Sequence, residues 1–156
     1  HQIEQLVFFA GAQDATILQS RIGNYTHSQY PKFQDFGDAM LQCDNGVSAY
    51  FRVDWFTPNG LGAWGDGRTL IIGTDGYIEI RKYIDVANNA EGDHVYWVDQ
   101  SGEHHRCVSG ECGFPFFGRM IRDCLDRTET AMPQEHIFRM MELALEAQER
   151  ALHVHY

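Results

Sequence analysis

Apolar positions recur with two different periods along this chain, one helical and one of strand alternation. Over residues 2–9, Ile3, Leu6 and Val7, with Ala10 one position off the ideal, follow helical spacing. Gly11 stands where a helix commonly stops, so a short helix is predicted, although the run 6–10 also suits a strand. Ile17, Leu18 and Ile22 among polar neighbours predict a strand over 15–24, followed by a Tyr/His/Ser-rich loop that ends at Pro31. Segments 36–44 and 47–57 flank Asp44-Asn45-Gly46, a pairing whose Asn-Gly supplies the positive backbone angles of a tight hairpin turn. In the second arm Val47, Ala49, Phe51, Val53 and Trp55 alternate with Ser48, Tyr50, Arg52, Asp54 and Phe56, an apolar row opposite a mixed one.

Strand character resumes over 69–72 and 77–83 around the turn Thr74-Asp75-Gly76, and again over 94–98 and 103–108 around Asp99-Gln100-Ser101-Gly102. Beyond Gly113 the period changes to that of helices, at 115–126 and 133–152. Pro133 suits a first helical turn, and Ile137, Met140, Met141, Ala144, Ala147 and Ala151 form one stripe. Helix, then about seven mostly hairpin-joined strands, then helices predicts an α+β fold: a large, mostly antiparallel open sheet with helices packed on one face. Two readings of the opposite face stand. It is either an interface for a second copy, built from Tyr50, Arg52, Tyr77, Glu79 and Arg81, or a solvated antiparallel face.

Composition narrows this picture. A chain of 156 residues fits one domain, and hydrophobic and charged fractions of 44% and 22% are those of a folding globular chain. A net charge of -10 argues against phosphate backbones and anionic lipid surfaces as partners, so neither nucleic acid nor membrane is expected. The longest apolar run, 6–10, is too short to span a bilayer, and no basic-then-apolar leader is visible. Cys43, Cys107, Cys112 and Cys124 are expected as reduced thiols in a cytoplasmic setting. The sequence starts at His1 rather than Met, which leads us to expect a cut end.

No GxGxxG or GxxxxGK[ST] follows a strand, so no nucleotide site is expected in this chain. The loop of residues 55–68 combines Trp64, Asp66, Asn59 and Arg68 with four glycines. Aromatic faces beside acceptors and a guanidinium suit a polyhydroxylated ligand; a long packed connection is the alternative. His104 and His105 point to opposite faces of a strand, which leaves His105, Cys107 and Cys112 without the paired spacing of a zinc site, and no metal is predicted. His153-Val154-His155 is expected as a frayed tail. No Gly-x-Ser-x-Gly elbow appears, so His1, an imidazole titrating near neutral pH, is the remaining acid/base candidate, with helix capping as its alternative role.

The start His1-Gln2-Ile3-Glu4-Gln5-Leu6 resembles the Gly-x-His-x-x-Asp-x-x helix start of the glucose-fructose oxidoreductase, inositol dehydrogenase and rhizopine-catabolism family. The similarity continues through Asp35-Phe36-Gly37-Asp38-Ala39, residues 50–58, Trp64-Gly65-Asp66-Gly67-Arg68, residues 72–79 and Thr128-Glu129-Thr130-Ala131-Met132. The resemblance implies a C-terminal substrate-binding and oligomerisation domain over 1–156, with the family's N-terminal Rossmann domain, its NAD or NADP site and its catalytic lysine outside this chain. It implies His1 as the catalytic histidine, Trp64, Asp66 and Arg68 as substrate contacts, and homo-oligomerisation through the sheet face. The implied reaction passes hydride between a secondary hydroxyl of a sugar or cyclitol and nicotinamide, with His1 moving or positioning the proton. Glu4 stands where the family carries Asp, and the aspartate of the family's Asp-x-x-x-His motif, whose histidine is His1, would fall four residues before the chain. The competing class is a non-catalytic ligand-binding or dimerisation module of the same fold.

Overall fold

The computed structural model describes residues 1–88 and 92–154. Its elements run α1 (Gln2–Ala10), β1 (Ala15–Gly23), β2 (Phe36–Cys43), β3 (Ser48–Asp54), β4 (Gly67–Ile72), β5 (Tyr77–Lys82), β6 (His94–Asp99), β7 (Gly102–Cys107), α2 (Pro115–Asp126), α3 (Gln134–Glu149) and β8 (Leu152–Val154). The fold is α+β, as the alternation of periods predicts. The strands, expected in one open sheet, fall into two four-stranded sheets, ordered β3-β2-β1-β8 and β4-β5-β6-β7. Contacts gather into two compact units: His1–Phe56 with the residues from Pro115 onward, and Thr57–Phe114.

In the first unit, α1 ends at Gly11 in the left-handed region, with its cap N–H bonded to the Phe8 carbonyl. The β2–β3 hairpin turns where Asn-Gly predicts, with Gly46 at φ 89°. One face of β1, β2 and β3 packs against α1 and α3, and the core is Ile3, Val7, Ile17, Ala39, Leu41, Met140, Leu143 and their neighbours. Strict alternation cannot bury Ile17 and Ile22 together, because they are five residues apart. A bulge resolves the conflict: Ile17 pairs with Leu41, Gln19 with Met40, and Leu18 is left unpaired and exposed. Ser20 is thereby turned inward, where its hydroxyl donates to the Ala147 carbonyl of α3 at 2.6 Å.

The C-terminal segment differs from expectation. Helix α3 stops at Glu149, and Leu152–Val154 form β8, parallel to residues 21–23 of β1. Pairing there satisfies a backbone edge that β1 otherwise leaves open. Gly23 permits the approach: a Cβ at that position would lie 2.8 Å from Val154 Cγ2 and 2.9 Å from its carbonyl oxygen. His153 is thus a strand residue rather than part of a frayed tail, and His155 lies outside the described residues.

The second unit is a meander of four antiparallel strands. Register places Arg68, Glu79, Arg81, His94, Tyr96 and His105 on one face, and Ile71, Ile78, Ile80, Val95 and Trp97 on the other. Among its described residues only Ile84, Asp85 and His94 are buried, so a polar network carries much of its order.

Candidate functional site

Bonds from Asn45 to the Ala10 carbonyl and from Asp44 N–H to the Asp14 carbonyl fix the β2–β3 turn beside the C-terminus of α1. The far ends of β1, β2 and β3 are therefore delivered toward the start of α1. There Ile3, Gln34, Phe36, Val53, Trp55 and Gln148 line a cavity of about 270 Å³. Gln148 donates to Gln34 across it at 3.3 Å, and Trp55, 62% exposed, packs edge-on to Phe33. An apolar wall, an aromatic ring and two carboxamides give a concave surface able to hold a small polar molecule. His1 is two residues from Ile3, at the N-cap of α1; its imidazole makes no capping bond and is exposed. His1 thus caps α1 through its backbone, its carbonyl accepting from the Gln5 N–H at 3.0 Å, and its side chain takes no part in the cap.

Asp35 anchors the wall of this cavity. This carboxylate is fully buried and accepts from the N–H groups of Tyr25 and Thr26, the Thr26 hydroxyl and His27 Nδ1, all at 2.8–2.9 Å. Burial alone raises such a carboxyl, but these bonds outweigh it and hold Asp35 well below the usual range. The loop of residues 24–35 is thereby tied to the sheet end. Sequence pattern does not single out Gln34 or Gln148, and it puts Asp35 in a family-like stretch and Trp55 at the start of the 55–68 loop; only the register of the strands brings these separate segments together.

On the outward face of the first sheet, Asp38 accepts from both Nε and Nη2 of Arg21 and from the Tyr50 hydroxyl at 3.1 Å. The Arg21 guanidinium holds the Asp38 carboxyl below its ordinary value against the opposing effect of burial. Arg52 pairs with Asp54 at 2.7 Å and lies over the rings of Phe36 and Phe56. Tyr50 and Arg52 thus do share one face, as the alternation predicts.

In the second unit Asp66 and Arg68 form a forked pair, with Arg68 Nη2 2.6 Å from Asp66 Oδ2. Trp64, in the same loop, is 87% exposed. Arg68 lies opposite Arg81 in the ladder, so it shares a face with Tyr77, Glu79 and Arg81. There Arg81 bridges Glu79 at 2.8 Å and Asp85 at 2.6 Å, and the Tyr96 hydroxyl donates to Asp85 at 2.5 Å. The Tyr96 bond is the chief cause holding Asp85 below its ordinary value, and the same bond pushes the Tyr96 hydroxyl up. His94 and His105 stack, with Nδ1 and Nε2 3.0 Å apart. Among the described residues, no group of three or more His, Cys, Asp or Glu side chains is placed to hold a metal ion. His1 belongs to the first unit, and Trp64, Asp66 and Arg68 to the second. No helix among the described residues is long and apolar enough to cross a membrane.

No family model and no curated protein matches the chain. Solved structures do. A protein from Erwinia carotovora atroseptica classed as an oxidoreductase is 50% identical, with a TM-score of 0.95 over 99% of this chain and 46% of its own. KijD10, a 3-ketoreductase from Actinomadura kijaniata solved with NADP, shares the fold at 14% identity and a TM-score of 0.69, covering 99% of this chain and 46% of its own. The UDP-N-acetylglucosamine 3-dehydrogenase GnnA from Acidithiobacillus ferrooxidans does so at 11% identity and 0.65, covering 96% of this chain and 44% of its own. The chain therefore spans about half the length of the structures it matches, and those structures are of oxidoreductases.

Proposed function

We propose that this chain is the C-terminal, substrate-side half of an NAD- or NADP-dependent oxidoreductase of the glucose-fructose oxidoreductase, inositol dehydrogenase and rhizopine-catabolism family. Its substrate is a sugar or cyclitol with an oxidisable secondary hydroxyl. The observation that carries this reading is half-identity, at a TM-score of 0.95, along nearly all of this chain to an oxidoreductase about twice as long.

In this reading the dinucleotide is not held by this chain. The glycine-rich loop 60–67 opens into strand β4, so it offers phosphate groups no helix N-terminus. The nicotinamide site is accordingly assigned to polypeptide outside this chain. What this chain supplies is binding and proton handling. The cavity beside the start of α1 receives the substrate's carbon skeleton, with Trp55 offering an aromatic face and Gln34 and Gln148 offering amide donors and acceptors to hydroxyls. Trp64, Asp66 and Arg68, which lie in the second unit, remain our candidates for substrate-contacting residues. His1 Nε2 or Nδ1 takes the proton from the reacting hydroxyl in oxidation and returns it in reduction.

A homo-oligomer forms in this reading through the sheet faces that carry Tyr50 and Arg52 in one unit and Tyr77, Glu79 and Arg81 in the other. The test is enzymatic. The full-length protein, incubated with NAD or NADP and a panel of sugars and cyclitols, should reduce the nicotinamide, as read from its near-ultraviolet absorbance. Binding of neither cofactor would overturn the proposal.

A further inference from the structure

Helix α2 is amphipathic, yet even Phe116 and Met120, the most covered of its large apolar side chains, are each 40% exposed, and the rest of its apolar side is more exposed still. Phe117, Ile121 and Leu125 recur every four residues on one side, while Arg119, Arg122 and Asp126 occupy the other. The apolar side chains are 64%, 59% and 76% exposed, and α2 has no fully buried residue. By contrast, α3 of the same unit buries Met140, Leu143 and Ala147 against the sheet. A helix with such a stripe derives most of its stability from packing, so an uncovered one points to a covering element.

The helix is also held in place. Asp123 accepts from the Thr128 hydroxyl, from the N–H and hydroxyl of Thr130 and from the Ala131 N–H, all at 2.7–2.9 Å, which clasps the end of α2 to the turn that leads into α3. The stripe is thus presented on a fixed support. Three side chains of this kind remove roughly 400–500 Å² from water when covered. That is well short of the ~800 Å² per partner of a stable dimer, and it suits one part of an interface between domains of a single chain. The matched Erwinia protein has more than half its length outside the region shared with this chain.

We infer that Phe117, Ile121 and Leu125 of α2 form the docking stripe for the polypeptide that precedes His1 in the full-length protein. This inference rests on the assignment of the chain as a C-terminal half. Docking there fixes the cofactor-bearing half against the unit that holds His1, so the stripe contributes to alignment of the reacting groups without touching them.

The experiment places the photo-crosslinking residue p-benzoylphenylalanine at Phe117 of the full-length protein and, in a separate preparation, at Leu125, and maps the adducts by mass spectrometry. An intramolecular adduct joining α2 to a peptide upstream of His1 is expected. An adduct to a second copy, an adduct confined to residues 1–156, or none at either position would overturn the inference. In parallel, Ile121→Asp should speed amide exchange in α2 about tenfold or more while amides near Leu143 hold their protection; unchanged exchange in α2 would contradict docking. Should the upstream adduct form in a protein that binds neither NAD nor NADP, the nicotinamide assignment fails and the docking stripe stands.

Discussion

At the scale of single residues, buried carboxylates set the acid sensitivity of the first unit. Asp35 and Asp38 are both depressed, the first by hydrogen bonds that outweigh its burial and the second chiefly by Arg21. A carboxyl whose folded pKa lies below its unfolded value of about 3.9 gives stability that is complete above that value and is lost as pH falls through the folded one. Thermal stability should therefore hold down to about pH 5 and decline on further acidification. Asp35→Asn should remove much of that slope and lower the melting temperature at neutral pH, because it leaves His27 and the Tyr25 and Thr26 N–H groups poorly paired. Melting curves recorded by circular dichroism from pH 7 to pH 3 check this; identical slopes for wild type and variant would show that the clasp does not govern acid stability.

At the scale of elements, strand pairing depends on a close approach at Gly76. A Cβ there would sit 2.1 Å from the Val98 carbonyl oxygen, so Gly76→Ala must push β5 and β6 apart. We expect a loss of about 1–3 kcal/mol in denaturant titration, the usual range for overpacking, with exchange rising first in β5 and β6. Thr74-Asp75-Gly76 announces this turn in the sequence, as Asn-Gly announces the β2–β3 hairpin and the change of apolar period announces α2, because local chemistry dictates all three. Strand β8 leaves no such mark: its three residues carry too short a pattern to register and pair only because Gly23 admits Val154. The bulge at Leu18 is equally hard to foresee, since one unpaired residue leaves a period-2 pattern merely looking irregular. The division of the strands between two sheets is invisible to period, because alternation records which face is apolar and carries no record of which strands pair. The cavity near α1 follows the same logic. Gln34, Trp55 and Gln148 have no shared spacing, whereas Trp64, Asp66 and Arg68 stand out only because their loop is rich in glycine and tryptophan.

At the scale of the whole molecule, two properties follow from the proposed role. The outward sheet face with Tyr50 and Arg52, and with Asp54 beside them, is our candidate oligomer interface, so Arg52→Glu should shift the full-length protein toward smaller species in analytical ultracentrifugation with its folding intact. An unchanged distribution would leave that face to solvent. The second property is catalytic competence, which in the proposed role this chain shares with the half assigned to the nicotinamide. The most direct test is the steady-state kinetics of full-length His1→Ala with the best sugar or cyclitol substrate. Loss of a positioned acid/base group predicts a fall in kcat of about 10²- to 10⁴-fold, with cofactor affinity unchanged. Turnover equal to that of the wild-type protein would contradict the assignment of His1 and, with it, the claim that this chain carries part of the active site.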